Sequence, residues 1–460
     1  MHTPAQVLLA PLAWLLTLVM AAGRRPSLVI ALSLALVLLP SSIQGIAGGQ
    51  VTPPDMMAAL AVLIIACRIM AGYRITNRFG WLPFAALVFA LAVATLTGTD
   101  VLASSQGFVR NAELFLLIPI ATAMSMRDRF DVLLITGSLV ALTAIEGGLG
   151  IYQYVTKTGA SYAGQFTRAV GTFGADAVVA LGTVIGYGIV VTLAMGLAQR
   201  GRPRVLLLGL TGFLLIPLGL SLTRGAWIAT AIAVIVMLFA HSWRIAVGLL
   251  ATATLAVAFY VAAASGTSAP AFSERITSIF SSGSEPDQSV KDRYALWGAA
   301  VDIWADHPVV GVGLKDFPTY RDSYASLELS AGSDVDDPTG GFRREPLLSP
   351  HNQYLLVLSE QGSVGILAFG GLLLSMLIGG FRRRPREYLP GPEQRMLSLI
   401  APGVMVWTMI NFLYGDVGAG PLGVVLAVLL GVVARRSLLL PEPPPVGPPA
   451  SAGQVKAGTA

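Results

Sequence analysis

Residues 352–380 read NQYLLVLSEQGSVGILAFGGLLLSMLIGG, a stretch that is long enough to cross a lipid bilayer as a helix. Glu360 is its one charged residue. Comparable apolar runs lie at 27–47, 56–72, 80–98, 108–125, 131–154, 177–198, 205–222, 225–241, 245–264, 396–414 and 418–434. The sequence therefore predicts an all-α polytopic membrane protein with about twelve transmembrane helices.

The composition excludes an ordinary soluble protein. Of 460 residues, 54% are hydrophobic and 12% are charged, and the mean hydropathy is +0.71, so there is too little polar surface to cover a fold in water. The net charge of +5 is too small to indicate nucleic-acid binding. One more apolar segment, 6–22, is either a further span or a helix that lies in the membrane interface.

Arginine residues predict the orientation of the spans. In the twelve-span arrangement, the arginines that flank the spans collect on one side, which the positive-inside rule assigns to the cytoplasm. They are Arg24, Arg25, Arg74, Arg78, Arg127, Arg129, Arg200, Arg202, Arg204, Arg244, Arg382, Arg383, Arg384, Arg386, Arg435 and Arg436.

The opposite side carries one long hydrophilic segment, 265–350. It holds thirteen of the twenty-five carboxylates and seven Lys or Arg residues, which is typical of an external loop. A helical pattern runs from Asp292 to His307, and we expect the segment to form a small, partly helical cap. The predicted organisation is an N-terminal membrane bundle (1–264), the cap loop (265–350), C-terminal membrane helices (351–436) and a disordered cytoplasmic tail (437–460).

Three residues on the predicted external side are suited to chemistry. His351, one of four histidines, lies where a span begins, and a neutral imidazole there can act as a general base. Arg224 lies in the short hinge between the spans that end near 222 and begin near 225, where its guanidinium can bind a phosphate through two parallel bonds. The alternative for Arg224 is an arginine that reaches lipid headgroups. Arg168 lies in another short external loop.

The cap contributes two more features. Arg293 opens the predicted cap helix that also carries Trp297, whose ring could stack on a sugar. Gly311 and Gly313 lack the strand-then-helix setting of a nucleotide-binding fold, and we expect a tight turn there.

Two carboxylates fall within or near apolar spans. Glu113 and Glu146 are each expected to be either structural partners of other polar groups or part of a polar pathway. No cluster has metal-ligand spacing, so neither a metal nor another cofactor is predicted. An arginine clamp together with a histidine base favours transfer of a glycan from a diphosphate-linked donor.

These residues resemble the O-antigen ligase and polymerase superfamily of bacterial envelope glycosyltransferases. The resemblance covers about residues 165–380, and three motifs carry it. They are Arg168 with Gly171-Thr172-Phe173-Gly174, then Ser221-Leu222-Thr223-Arg224-Gly225-Ala226-Trp227, and then Arg293-(x3)-Trp297 leading through Pro308, Gly311, Gly313 and Phe317 to His351-Asn352-(x)-Tyr354-Leu355-(x4)-Glu360-(x)-Gly362-(x2)-Gly365.

The resemblance implies a GT-C-like enzyme of the bacterial inner membrane with a periplasmic active site. Such an enzyme moves a glycan from undecaprenyl diphosphate to an acceptor sugar hydroxyl, without a metal and with inversion at the anomeric carbon. By the same resemblance, His351 and Arg224 are catalytic and Arg168, Arg224 and Arg293 bind the diphosphate. The residues expected to support them are Asn352, Tyr354, Glu360 and Trp297.

The motifs leave the acceptor open. A ligase would use lipid A–core, whereas a polymerase of O-antigen or exopolysaccharide would extend a second lipid-linked chain. A membrane transporter or flippase is a less favoured alternative, because no inverted repeat is visible in the sequence.

Overall fold

The computed structural model describes residues 23–40, 51–72, 78–162, 168–177, 179–252, 288–326, 329–337, 341–382, 391–417 and 420–439. The predicted segment 6–22 and the tail from 440 onwards lie outside these residues, as do residues 253–287, which comprise the end of the predicted span 245–264 and the start of the cap. The helices are α1 (Pro26–Leu36), α2 (Pro53–Met70), α3 (Leu82–Thr97), α4 (Val101–Ser125), α5 (Arg129–Thr156), α6 (Ala180–Ala198), α7 (Arg202–Leu220), α8 (Arg224–His241), α9 (Trp243–Thr252), α10 (Gln288–Asp306), α11 (Phe317–Tyr324), α12 (Gln353–Phe381), α13 (Pro392–Asn411) and α14 (Leu422–Ser437).

The long apolar helices confirm a multi-pass membrane protein. In the described part of the chain, seven helices are long and apolar enough to cross a bilayer, namely α2, α4, α5, α6, α7, α8 and α12. A helix also lies within each of the other predicted spans, but these helices are shorter or less apolar. The number of crossings, the domain boundaries and the orientation stay predictions.

The membrane bundle packs around α6, whose residues are nearly all buried. Helices α5, α7, α8 and α13 surround it. Small residues allow the close approach: a Cβ on Gly186 would lie 2.6 Å from the indole nitrogen of Trp407, a fully buried residue of α13. Trp407 in turn donates a 2.9 Å hydrogen bond to Thr230 Oγ1 of α8. Trp407 of α13 therefore contacts both α6 and α8 in the interior of the bundle.

The chain is largely helical, as the prediction of an all-α membrane protein requires, and its loops add a small sheet. Three short antiparallel strands, β1 (Ser161–Tyr162), β2 (Ser333–Asp337) and β3 (Gly341–Glu345), form a sheet in the order β1-β2-β3. These strands lie in loops outside the apolar runs, so apolar periodicity could not predict them. They form because the backbone groups of these loops pair with one another. The sheet joins the loop that carries Arg168 to the cap.

The cap also docks into a break in α12. At Gly362 the backbone turns to φ 63°, and the loop at 308–313 fills the gap. The N–H of Val312 donates to Ser359 O (3.1 Å), and the N–H of Ser363 donates to Pro308 O (2.9 Å). Backbone groups that the break would leave unpaired are therefore satisfied by the cap.

The tight turn predicted at Gly311 packs directly against the broken part of α12. Gly311 has φ 70°, and a Cβ there would overlap the backbone of Glu360. Only glycine allows both this conformation and this approach. The helix predicted for Asp292–His307 is also present, as α10, and it packs against α12.

Candidate active site

His351 lies in a short turn that is held by hydrogen bonds from α12 and from the cap. Its backbone adopts φ +48°, and its N–H donates to Ser349 Oγ over 3.3 Å. Asn352 caps α12, because its side-chain oxygen accepts hydrogen bonds from the backbone N–H groups of Tyr354 (3.0 Å) and Leu355 (3.2 Å). Trp297 of the cap donates its indole N–H to Pro350 O at 2.9 Å. The cap and the membrane helix together therefore fix the position of His351.

Asp416 is the residue that sequence reasoning missed. It lies in the turn between α13 and α14, and its carboxylate accepts a hydrogen bond from the hydroxyl of Ser349. Gln353 fastens this turn to the start of α12, because its N–H donates to Phe412 O (2.9 Å) and its Oε1 accepts from Val417 N (2.9 Å). The available signal was an acidic residue in the short link between the last two predicted spans.

The charges near His351 act on its ring in opposite directions. Burial lowers the pKa of His351 below its ordinary value, Asp416 raises it and Arg293 lowers it further. A lowered pKa means that the imidazole is neutral at pH 7 and can accept a proton. The nearby carboxylate would then stabilise the imidazolium that forms.

Arg224 is the first residue of α8 and is exposed. The turn before it contains Leu222 in a left-handed conformation (φ 53°), and Trp227 braces it by donating to Leu218 O at 2.7 Å. A Cβ on Gly225 would lie 3.0 Å from Tyr414 Cβ, so the start of α8 lies against the turn that carries Asp416. Arg224 forms no ion pair with the described residues, which leaves its guanidinium available to an anion.

Arg168 lies in a loop that is connected to the same region. Its backbone pairs with Ala160, and the N–H of Ala169 donates to Leu220 O, at the end of α7, over 3.3 Å. The half-buried Arg168 is therefore held close to the chain segment that leads into Arg224. The structure brings Arg168 and Arg224 to one end of the bundle.

Both intramembrane carboxylates have partners. Glu146 accepts from the N–H (3.1 Å) and the hydroxyl (2.5 Å) of Thr172, and so anchors the loop that carries Arg168. Glu113 accepts from Arg110 at 3.0 Å. These contacts favour the structural alternative over a polar pathway for each of them.

The predicted supporting residues serve mainly to hold this end of the molecule together. Tyr354 donates its hydroxyl to Met409 O at 2.8 Å. Glu360 is buried, and its Oε1 accepts from the backbone N–H of Phe317 at 3.4 Å. Neither side chain faces open solvent as a nucleophile would, so we assign both to positioning. Among the residues that the structure describes, no group of three or more His, Cys, Asp or Glu side chains could hold a metal ion.

Residues 209–370 match the O-antigen ligase family. The chain carries an O-antigen ligase domain. The matched segment runs from α7 into α12 and includes Arg224, Arg293 and His351, so the O-antigen ligase domain contains the hinge, the cap and the histidine turn. Two residues near this region lie outside the matched segment: Asp416, which contacts Ser349, and Arg168, whose neighbour Ala169 contacts Leu220. No curated protein matches the chain.

The domain also sets the class of activity. O-antigen ligases and the related polymerases are glycosyltransferases that act on lipid-linked glycans. The chain is thus a membrane protein with a domain similar to this family of enzymes, and a lipid bilayer is its environment.

Proposed function

We propose that the protein is a ligase that transfers a glycan from undecaprenyl diphosphate to a sugar hydroxyl of lipid A–core. The reaction would take place at the periplasmic face of the bacterial inner membrane. The observation that carries the proposal is that the half-buried His351, with a lowered pKa, lies close to the Asp416 carboxylate and to Arg293, while the start of α8 with Arg224 lies against the turn that carries Asp416.

The proposed step begins with the acceptor hydroxyl. His351 takes its proton, and the acceptor oxygen attacks the anomeric carbon of the donor from the side opposite the diphosphate. The bond between the anomeric carbon and the phosphate oxygen breaks, and its electron pair leaves with undecaprenyl diphosphate. The anomeric configuration is inverted, and no step requires a metal.

The leaving diphosphate needs cationic partners because negative charge develops on it as the bond breaks. Arg224 suits this role, since a guanidinium binds two phosphate oxygens through parallel charge-assisted bonds. We assign Arg168 and Arg293 to the same anion. Arg293 also lowers the pKa of His351, which favours the basic form of the ring.

Asp416 completes the arrangement as a positioning residue. Through Ser349 it holds the turn on which His351 lies, and its charge favours the imidazolium that forms during transfer. The role is analogous to that of other carboxylates that orient and stabilise a histidine base.

The test uses purified protein, a donor with one glycan repeat on undecaprenyl diphosphate, and lipid A–core, with products separated on a gel. The ligase proposal predicts one product of higher mass that forms only when lipid A–core is present. A ladder that grows without lipid A–core would instead show a polymerase. The absence of any product in either tube, with folded protein, would favour a transporter.

A further inference from the structure

A second charged site lies at the other end of α13 from Asp416. There a cavity of about 350 Å³ is lined by Ala198, Gln199, Arg200, Gly391, Pro392 and Arg395. The volume is in the range of cavities that hold small ligands. Because α13 has 20 residues and rises ~1.5 Å per residue, its ends are ~30 Å apart, which is the thickness of the hydrocarbon core. The cavity and His351 therefore lie near opposite ends of the helix bundle.

The cavity is strongly cationic. Arg200 and Arg395 line it, and His241 at the end of α8 is close enough to both Arg204 and Arg395 to interact with their charges. The three arginines are exposed and form no ion pair with the part of the chain that the structure describes. Arginines from the loop after α6, from α7 and from α13 thus lie in or near this cavity.

The acidic residue closest in sequence does not neutralise this charge. Glu393, in the first turn of α13, forms an ion pair with Arg129 at 2.7 Å. The same helix begins at Pro392 without a side-chain cap, so its positive end also faces the cavity. An anion in the cavity would meet two guanidinium groups and the start of a helix.

Exposed apolar side chains stand next to these cationic residues in the sequence. Val205 and Leu206, in the first turns of α7, are 70% and 73% exposed, and Trp243, two residues after His241, is 62% exposed. Exposed aliphatic groups on a membrane helix face lipid chains, and tryptophan is enriched where the chains meet the headgroups. A ligand that contacts both the cavity and these side chains would need a negatively charged part and an apolar part.

We propose that this cavity binds the headgroup of an anionic phospholipid, with the phosphodiester between Arg200 and Arg395 and the acyl chains along α7. Basic pockets between membrane helices on the cytoplasmic side bind such headgroups. The ligand class is a phospholipid with net negative charge, such as phosphatidylglycerol. A zwitterionic lipid would bring a second positive charge into an already cationic site.

Native mass spectrometry of the full chain in detergent would measure this binding. Phosphatidylglycerol and phosphatidylcholine would be titrated separately, with inorganic phosphate as a competitor. We expect phosphatidylglycerol to bind at least about tenfold more tightly, because both lipids carry the phosphodiester but only phosphatidylcholine carries a quaternary ammonium, which the two guanidinium groups would repel. The preference should fall by about tenfold in the double variant Arg200→Gln/Arg395→Gln.

Arg24→Gln is the matched control, because it removes an exposed arginine from the same predicted face but not from the cavity. Its lipid preference should equal that of the unmodified protein. Equal binding of the two lipids, or an unchanged preference in the double variant, would overturn the proposal. Displacement of the lipid by inorganic phosphate would also overturn it, because the site would then take a free anion. If the double variant does not fold, Arg395→Gln alone and the two lipid titrations decide the question.

Discussion

Asp416 and Arg293 should shift the pH dependence of transfer in opposite directions. Asp416 raises the pKa of His351 and Arg293 lowers it, so each is close enough to change the charge of the ring. Transfer requires neutral His351, and the rate should therefore fall as the pH drops through the pKa of that histidine. Because burial lowers this pKa, the acidic limb should lie below the ordinary histidine value of about 6.5.

The two substitutions have opposite signs. Asp416→Asn removes the charge that favours the imidazolium, so the pKa of His351 falls and the limb should move to lower pH. Arg293→Gln removes a charge that disfavours the imidazolium, so the limb should move to higher pH. Asp416→Asn should also reduce the rate at neutral pH by about tenfold or more, which corresponds to about 1.4 kcal/mol, because the imidazolium that forms is less stabilised.

The assay is the rate of product formation against pH for the unmodified protein and both variants, at donor concentrations well below saturation. A purely structural role for Asp416 would lower the rate at every pH and leave the limb in place. Limbs that do not move, or that move in the same direction in both variants, would refute the electrostatic roles of Asp416 and Arg293.

Three further substitutions test other parts of the site. Arg224→Lys should reduce transfer by about tenfold or more, because an ammonium cannot form the two parallel bonds of a guanidinium; full activity would favour an arginine that only contacts headgroups. Gly311→Ala should destabilise the protein by about 2–5 kcal/mol, since its Cβ would overlap backbone and its φ is positive, whereas Gly370→Ala, where nothing lies within 4 Å, should leave thermal unfolding in detergent nearly unchanged. Trp297→Phe removes the bond to Pro350 and should lower stability by about 1 kcal/mol; no change would mean that the bond does not brace the histidine turn.

Hydropathy and charge were sufficient to predict most of the membrane helices. The apolar run that begins after His351 corresponds to α12, and the hinge with Arg224 falls between α7 and α8. Such features depend on local composition, which a single sequence records directly. The histidine at the start of a span was therefore recognisable as a candidate before its surroundings were known.

Contacts between distant segments were not predictable in the same way. Ser349 and Asp416 are 67 residues apart, and only the packing of α12 against α13 brings them together. The break at Gly362 falls in the polar stretch Ser359–Ser363 of a run that hydropathy treats as one span, and nothing in that stretch indicates the cap loop that fills the break. The β-sheet is likewise formed by loops from two separate parts of the chain.

The most direct test of the proposed chemistry is the release of undecaprenyl diphosphate by the unmodified protein and by His351→Ala, with donor and acceptor both present. Size-exclusion profiles and thermal unfolding would show whether the variant is folded. We expect acceptor-dependent release from the unmodified protein, and none above background from a folded His351→Ala protein. Release at an unchanged rate from that variant would contradict the assignment of His351 as the base.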